Sequence, residues 1–342
     1  MPRPYHKLVP YAFKRFSIVS ARSTALPTLL YSLRKPCFQE SEKPALVTMN
    51  ILPPLMSLWW HFAKRALGTR VDIFIFDCSG KLNPDDFPGA RVQKFLNFYA
   101  ATKCNEFLYH IAKNRKIGWM CDDDIFLLKS DAVEHIVREF RDPKTASVSF
   151  RPRTWWHYDI AGKNYPVSSS YCTAINRDIF CNREHLSLAP KGGNTHPTTG
   201  DRPPKSYDTF DKANEILLTK GYLCTVLPEN IQNECITGFH GVSNGVMLLN
   251  YFKNPEQMLD FLLSPPKKQW EGSVLYNVFG ALLAIDVVQD LAEKITGKRS
   301  PLPSLPAKAD LVKIRREHEP LLRGEMSWKW IDEAEITLRK MI

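Results

Sequence analysis

The sequence predicts an α/β domain built on a mostly parallel sheet flanked by helices. Three observations carry this. Short apolar runs rich in β-branched and aromatic residues recur from residue 45, segments of helical spacing alternate with them, and polar residues collect just past their ends. Strands of a parallel sheet are covered on both faces, so they read as continuous apolar runs rather than alternating ones. The 342 residues suffice for one large core or two domains, and the 44% hydrophobic and 24% charged residues are ordinary for a globular protein.

The elements follow in order. ALVTM (45–49) is the first strand, ended by Asn50 and a Pro-Pro break. LMSLWWHFAKRAL (55–67) has helical spacing and stops at Gly68. VDIFIF (71–76) is a second strand running into Asp77, and RVQKF (91–95) is a weaker one. A helix is expected over 96–114 and a buried strand over 117–121. Next come a helix at 131–140 and a strand at 147–150, leading into RPRTWWHYD (151–159). Residues 187–206, rich in Pro, Gly, Thr and Lys, read as a long mobile loop. A helix over 207–220 is closed by Gly221 and followed by a strand at 222–227. Helices at 250–263 and 273–295, a stiff linker at 301–306 and a charged amphipathic helix or helix pair at 309–341 complete the chain, with no internal repeat. This gives a basic extension (1–44), an α/β domain (45–250) and a helical C-terminal region (251–342).

The formal charge of +10 is uneven. Arg3, Lys7, Lys14, Arg15, Arg22, Arg34 and Lys35 lie within residues 1–39, which hold no acid. Such an arm suits nucleic acid, an anionic membrane surface or a charged substrate; it equally reads as a targeting peptide or a solvated leader. No uncharged apolar run reaches the roughly 18–20 residues that span a bilayer. The longest, SVLYNVFGALLAIDVV, is broken by Asp286 and reads as a buried helix. Eight cysteines form no CxxC pair and no zinc spacing, and Cys121 and Cys224 sit in apolar runs as small buried hydrophobes. With no secretory signal, the expectation is a soluble, intracellular protein with reduced thiols.

GWMCDDDIFLL (118–128) places three acids between two apolar runs. In extended backbone Asp122 and Asp124 share a face and Asp123 takes the other. Two converging carboxylates need a counter-charge, and Mg²⁺ or Mn²⁺ supplies it, completing its shell with phosphate oxygens and water. A solvated turn is the plainer reading, but the apolar flanks favour a cleft.

With these residues in view, the chain resembles the GT-A-fold glycosyltransferases, especially the family-2-like group, over about residues 45–250. The resemblance rests on VDIFIFDCSG, the Asp-x-Asp, YDTFDKANEILLTKGYLCTVLP and GFHG, in that order. It implies that Asp77 contacts the nucleoside base, that Asp122 and Asp124 hold the metal, and that His240 closes the metal site. It also implies that Asp208 is the base that deprotonates the acceptor, with Asp211 in reserve. Asn50, Lys103 and Asp123 join Asp77 on the donor side. Plainer roles stand beside these: Asp77 capping a strand turn, Asp208 capping a helix, Lys103 a solvated charge. Arg151, Arg153, Trp155, Trp156 and His157 are the acceptor candidates, the aromatics for stacking and the arginines for phosphate. Serines at 168–170 depart from the Gly pair frequent in the family, and the N-terminal extension lies outside its pattern.

The implied reaction is metal-dependent hexosyl transfer from a nucleotide-diphosphate sugar, a UDP-sugar first, to a hydroxyl. Two acceptor classes stay open: a glycan or lipid-linked sugar, and a hydroxymethylated base in DNA. The resemblance reaches the phage and kinetoplastid enzymes that glycosylate such bases. The basic arm and the RPRTWWH segment lean toward DNA binding and DNA modification, which would place the protein in a nucleus or host cytoplasm. Rival readings are a nucleotidyltransferase, a glycosidase and a non-catalytic binding module. The first rival usually carries a Gly-rich basic loop where this chain has NILPPL.

Overall fold

The computed structural model describes residues 36–94, 100–189, 207–324 and 326–342, without the side chains of Thr102, Trp155, Trp156 and Ser273. The basic arm through residue 35, the start of the expected 96–114 helix and most of the expected loop at 187–206 lie outside the described residues.

The chain divides into two units: the stretch ending at Asn50 together with Phe62–Ile236, and Ile51–His61 together with Thr237–Ile342. The first unit holds a seven-stranded sheet. Its strands are β1 (Ala45–Asn50), β2 (Asp72–Asp77), β3 (Arg91–Lys94), β4 (Ile117–Cys121), β6 (Thr145–Ser149), β9 (Cys172–Asn176) and β10 (Leu223–Val226). Between them in sequence lie α1 (Pro53–Leu67), α2 (Ala100–Glu106), β5 (Ile125–Leu127), α3 (Asp131–Glu139), the hairpin β7 (Pro152–Ile160) and β8 (Lys163–Ser168), and α4 (Asp211–Thr219). The spatial order is β10-β6-β9-β4-β1-β2-β3. β1 runs parallel to β2 and β4, β2 to β3, and β10 to β6. β9 is antiparallel to both of its neighbours, with Cys121 opposite Cys172 and Ser149 opposite Thr173. The carboxyl ends of β1, β2, β4 and β6 therefore share one edge, where polar residues of open α/β sheets gather.

The apolar runs fold as expected because both sheet faces are covered. Every residue of β4 and β6 is buried. Trp119 stacks on Phe150 at 5.8 Å, and Phe62 meets Phe126 edge-on at 5.7 Å. Each such side chain contributes about 1.5–3 kcal/mol by leaving water.

Several elements differ from expectation. The hairpin and β9 are absent from the sequence reading, because KNYPVS carries Lys163 and Pro166 and CTAIN is short. The helix expected from residue 207 begins only at Asp211, since Phe210 is in the left-handed region (φ 73°) and ends any earlier helical run. After α2 the chain widens into a π turn at Phe107–Ile111.

The second unit is helical. It comprises α6 (Val242–Tyr251), α7 (Pro255–Leu263), α8 (Ser273–Thr296), α9 (Lys308–His318) and α10 (Lys329–Met341), preceded in the chain by α5 (Glu229–Cys235). The expected helix over 250–263 is two helices. Asn254 breaks the run by capping α7, its Oδ1 accepting the Gln257 N–H at 3.0 Å. Val274–Thr296 within α8 is long and apolar enough to cross a membrane, but most of it is buried in the protein. Phe279 on this helix packs edge-on against Trp270 and Trp328, and Arg315 ties α9 to α10 by two 2.7 Å bonds to Asp332.

Candidate active site

The three aspartates sit at the carboxyl end of β4, but in a turn rather than an extended strand. The Ile125 N–H donates to the Asp122 carbonyl at 3.1 Å, closing a turn over Asp122, Asp123 and Asp124. The Asp122 N–H donates to the Tyr171 carbonyl at 2.8 Å, which anchors the turn to the loop between β8 and β9. Alternation along a strand therefore does not set the side-chain directions. The acids still divide between two environments. Asp122 feels the charges of Asp124 and Asp208, whereas Asp123, 6% exposed, acts on Cys78. Burial first, then Asp124 and Asp208, push the Asp122 carboxyl well above the usual carboxylate range, with Arg153 offsetting only part of this.

Asp77 closes β2 and is fully buried. Its Oδ1 accepts hydrogen bonds from Asn50 Nδ2 (3.1 Å), Ser79 Oγ (2.7 Å) and the Gly80 N–H (2.9 Å), and its Oδ2 accepts from the Leu82 N–H (3.1 Å). Four donors of its own chain thus occupy the carboxylate that the family resemblance assigns to the base. Asn50 Nδ2 also reaches Ser79 Oγ at 2.8 Å. The Asn50–Asp77–Ser79 cluster builds the turn after β2.

Lys103 is not a solvated charge on a helix. It is fully buried in α2 beside Cys78, Cys104 and Glu106, and burial lowers its ammonium to about 8 despite those neighbours. Its expected reach to a phosphate has no exposed amino group behind it.

The acceptor-side residues separate. Arg153, in β7, is 4% exposed and turned inward. Its Nε donates to Asp211 Oδ1 (2.9 Å), its Nη2 to Asp208 Oδ2 (3.2 Å) and its Nη1 to the Tyr171 hydroxyl (3.2 Å), with the guanidinium 5.5 Å from the Tyr171 ring centroid. It is therefore committed to internal partners rather than to an acceptor phosphate. Arg151 is half-buried close to Asp124, and burial lowers its pKa against the pull of that carboxylate. His157 pairs with Pro166 across the hairpin. Trp155 and Trp156 lie in β7, and their side chains fall outside the described residues.

Asp208 and Asp211 have different environments. The Asp208 side chain is 60% exposed, with Oδ1 accepting the Thr209 N–H at 2.8 Å. It lies three residues before α4, so it does not cap that helix. Asp211, 1% exposed, opens the helix and reaches back to accept the Asp208 N–H at 2.9 Å. Burial pushes its carboxyl up to about 6, although Arg153 and the Asp208 N–H pull it down. A buried group held on both oxygens is a counter-charge, not a reserve base.

His240 belongs to the second unit and packs edge-on against Trp330 at 5.0 Å. Sequence reasoning missed Tyr171, Ser149 and Thr173. Ser149 Oγ donates to the Arg151 carbonyl (2.9 Å) and accepts from Thr173 Oγ1 (3.0 Å), pinning the edge of the sheet. The serine-rich stretch just before Tyr171 carried no spacing rule, and Ser149 ends an apolar strand with no signal of its own.

The site's donors suit a hard divalent cation. Asp122 and Asp124 offer carboxylate oxygens, the donors that such a cation takes. Among the described residues no three His, Cys, Asp or Glu side chains converge on one ion position. Two carboxylates would leave most of the shell to diphosphate and water, as Mg²⁺ prefers.

No family model matches the chain, and no curated protein matches it. Among solved structures it is similar to the mannosyltransferase PcManGT from Pyrobaculum calidifontis, solved with GDP-Man and Mn²⁺. That match has 13% identity over 95% of this chain and 97% of that one, with a TM-score of 0.38. It is also similar to 4-diphosphocytidyl-2C-methyl-D-erythritol synthase from Anaerococcus prevotii, at 8% identity over 54% and 86% of the two chains and a TM-score of 0.36. The galactosyltransferase LgtC matches at 10% identity over 39% and 58%, with a TM-score of 0.28. Identities and scores this low say nothing of activity. The mixed, mostly parallel sheet flanked by helices, with a helical region after it, is the α/β architecture expected from the sequence.

Proposed function

We propose that the chain is a glycosyltransferase that moves a hexose from a nucleotide-diphosphate donor to an acceptor hydroxyl with the help of Mn²⁺ or Mg²⁺. One observation carries the reading. The Asp122–Asp124 turn at the carboxyl edge of a mostly parallel sheet is joined by hydrogen bonds, through Tyr171 and Arg153, to an exposed carboxylate, Asp208, from a distant segment of the chain. Asp122 and Asp124 would hold the metal, leaving the rest of its shell to diphosphate oxygens and water. A bound divalent ion supplies Lewis-acid neutralisation of the departing diphosphate. Asp208 accepts the proton of the acceptor hydroxyl as its oxygen attacks the sugar carbon and the bond to the diphosphate breaks. Each Asp208 oxygen accepts one hydrogen bond from its own chain and keeps a further lone pair for this. The Asn50–Asp77–Ser79 turn frames the donor side by its shape.

The connection from β1 to α1 is two residues, Ile51 and Leu52, with no Gly-rich cradle for a triphosphate. This favours sugar transfer over nucleotidyl transfer. For the acceptor, a hydroxymethylated base in DNA rests on the seven cations of the acid-free arm; Arg153, committed internally, adds nothing to it. A UDP-sugar is the first donor to test.

Calorimetric titration with UDP- and GDP-hexoses, with and without Mn²⁺, tests the reading. Donor binding should depend on Mn²⁺, and Asp122→Asn or Asp124→Asn should weaken it by about tenfold or more. Asp208→Asn should keep donor binding and lose transfer by about 10²–10⁴-fold. Donor binding that ignores the metal, or the absence of any donor binding, would sink the proposal. Offering hydroxymethylated DNA beside a soluble glycan then decides the acceptor class.

A further inference from the structure

We propose that Arg153 is a positioning residue that fixes the proposed base Asp208 relative to the Asp122 turn, acting through Tyr171 and using Asp211 as its counter-charge. The inference rests on the reading of Asp208 as the base.

Arg153 spreads three nitrogens over three partners: Nε on Asp211, Nη2 on Asp208 and Nη1 on the Tyr171 hydroxyl. A guanidinium offers five donors in a rigid planar fork, so the three partners are held at fixed angles to one another. Tyr171 extends this frame, because its own carbonyl accepts the Asp122 N–H at 2.8 Å. A short path of hydrogen bonds therefore runs from Asp208 through Arg153 and Tyr171 to Asp122. The frame is clamped from behind. The Tyr158 hydroxyl in β7 donates to the Asp211 carbonyl at 2.6 Å, and the Ser168 N–H in β8 donates to Asn214 Oδ1 at 3.0 Å. The hairpin that carries Arg153 is thereby fastened to the helix that carries Asp211.

The two carboxylates on Arg153 differ in exposure: the Asp208 side chain is 60% exposed, that of Asp211 1%. Asp208 is thus held in place without being sealed off from solvent. An ion pair serving only to staple the hairpin would need Asp211 alone, and would leave Asp208 and Tyr171 out of the fork.

The test uses the full chain. Free Mn²⁺ is followed by electron paramagnetic resonance to obtain the metal Kd. Turnover is measured with the UDP- or GDP-hexose that the wild type cleaves fastest, water serving as acceptor. Arg153→Lys keeps a charge but loses the fork. It should leave the Mn²⁺ Kd and the donor KM within about twofold and lower kcat by about tenfold to a hundredfold. Asp208→Asn should lower kcat at least as much, and the double variant should be no slower than Asp208→Asn alone, since both changes disable one unit. Tyr171→Phe removes one hydroxyl and leaves the buried ion pair intact, so it reports even if Arg153→Lys fails to fold; it should lower kcat about threefold or more with KM unchanged. A folded Arg153→Lys protein with wild-type kcat, a Tyr171→Phe protein with wild-type kcat, or losses that multiply in the double variant would overturn the inference alone. A wild type with no Mn²⁺-dependent turnover overturns the reading of the site, and this inference with it, before any variant is made.

Discussion

At the scale of the residue, environment decides what a carboxylate does. Asp77, Asp122, Asp208 and Asp211 are chemically one group, yet one is consumed by a turn, one is crowded by other acids, one is exposed and one is buried against an arginine. Lys103 is the sharpest case of an environment working against a charge. Its ammonium is fully buried and lowered to about 8. The folded state therefore binds this proton more weakly than the unfolded chain does. Below about pH 8 the full penalty is present, and it is relieved as the pH rises toward the unfolded value near 10.5. Lys103→Met should raise stability at pH 7 by on the order of 3 kcal/mol or less, and the gain should shrink between pH 8 and 10.5. Urea denaturation of both proteins across that range measures it. A gain that stays constant with pH would mean the lysine is not the source.

At the scale of the element, small residues set how closely the helices and strands approach. A Cβ on Gly118 in β4 would collide with Leu108 Cδ2, so the bare glycine lets the π turn after α2 settle on the strand carrying the acidic turn. In the helical unit, a Cβ on Gly245 in α6 would lie 2.6 Å from Ile285 Cδ1 and 3.2 Å from the Ala281 carbonyl carbon in α8. Helix propensity alone would favour Gly245→Ala by about 1 kcal/mol, while overpacking costs about 1–3 kcal/mol. The Ile285 tip can rotate away but the Ala281 backbone cannot, so the change should be a net loss. A lowered denaturation midpoint for Gly245→Ala, partly restored by Ile285→Val, is the expected outcome; a raised midpoint would contradict it.

At the scale of the whole molecule, charge is the feature that reaches furthest. All seven cations of the arm lie within residues 1–35. The residues just after it are fastened to the sheet unit: the Cys37 N–H donates to the Ile111 carbonyl at 3.1 Å, and Asn114 Nδ2 donates to the Phe38 carbonyl at 3.2 Å. Deletion should therefore stop at residue 35. If DNA is the acceptor, that deletion should weaken DNA binding and flatten its salt dependence by about 0.9 in log–log slope for each phosphate that the arm neutralises. The Mn²⁺ affinity should not change. DNA binding titrated from 50 to 200 mM salt gives the slopes, and equal slopes would remove the arm from acceptor binding.

The parallel strands, the helices that alternate with them and the acidic cluster at a strand end were legible because burial on both faces leaves continuous apolar runs and local spacing records helix and strand. The alternation expected for Asp122, Asp123 and Asp124 was not legible, because a turn closed by the Ile125 N–H, not an extended strand, holds them. What the sequence could not reveal depends on contacts between residues far apart in the chain. Arg153 reads as a surface cation until Asp208 and Asp211, 55 and 58 positions later, are brought against it. Asp77 reads as a ligand group until the turn after β2 buries it and saturates its Oδ1. Lys103 reads as solvated until α2 is pressed on the sheet. By itself the sequence determined which segments must leave water and where the acids emerge. Only the tertiary structure decided which charges remain available to a ligand, because hydrogen bonds and desolvation between distant segments, not local propensity, settle that.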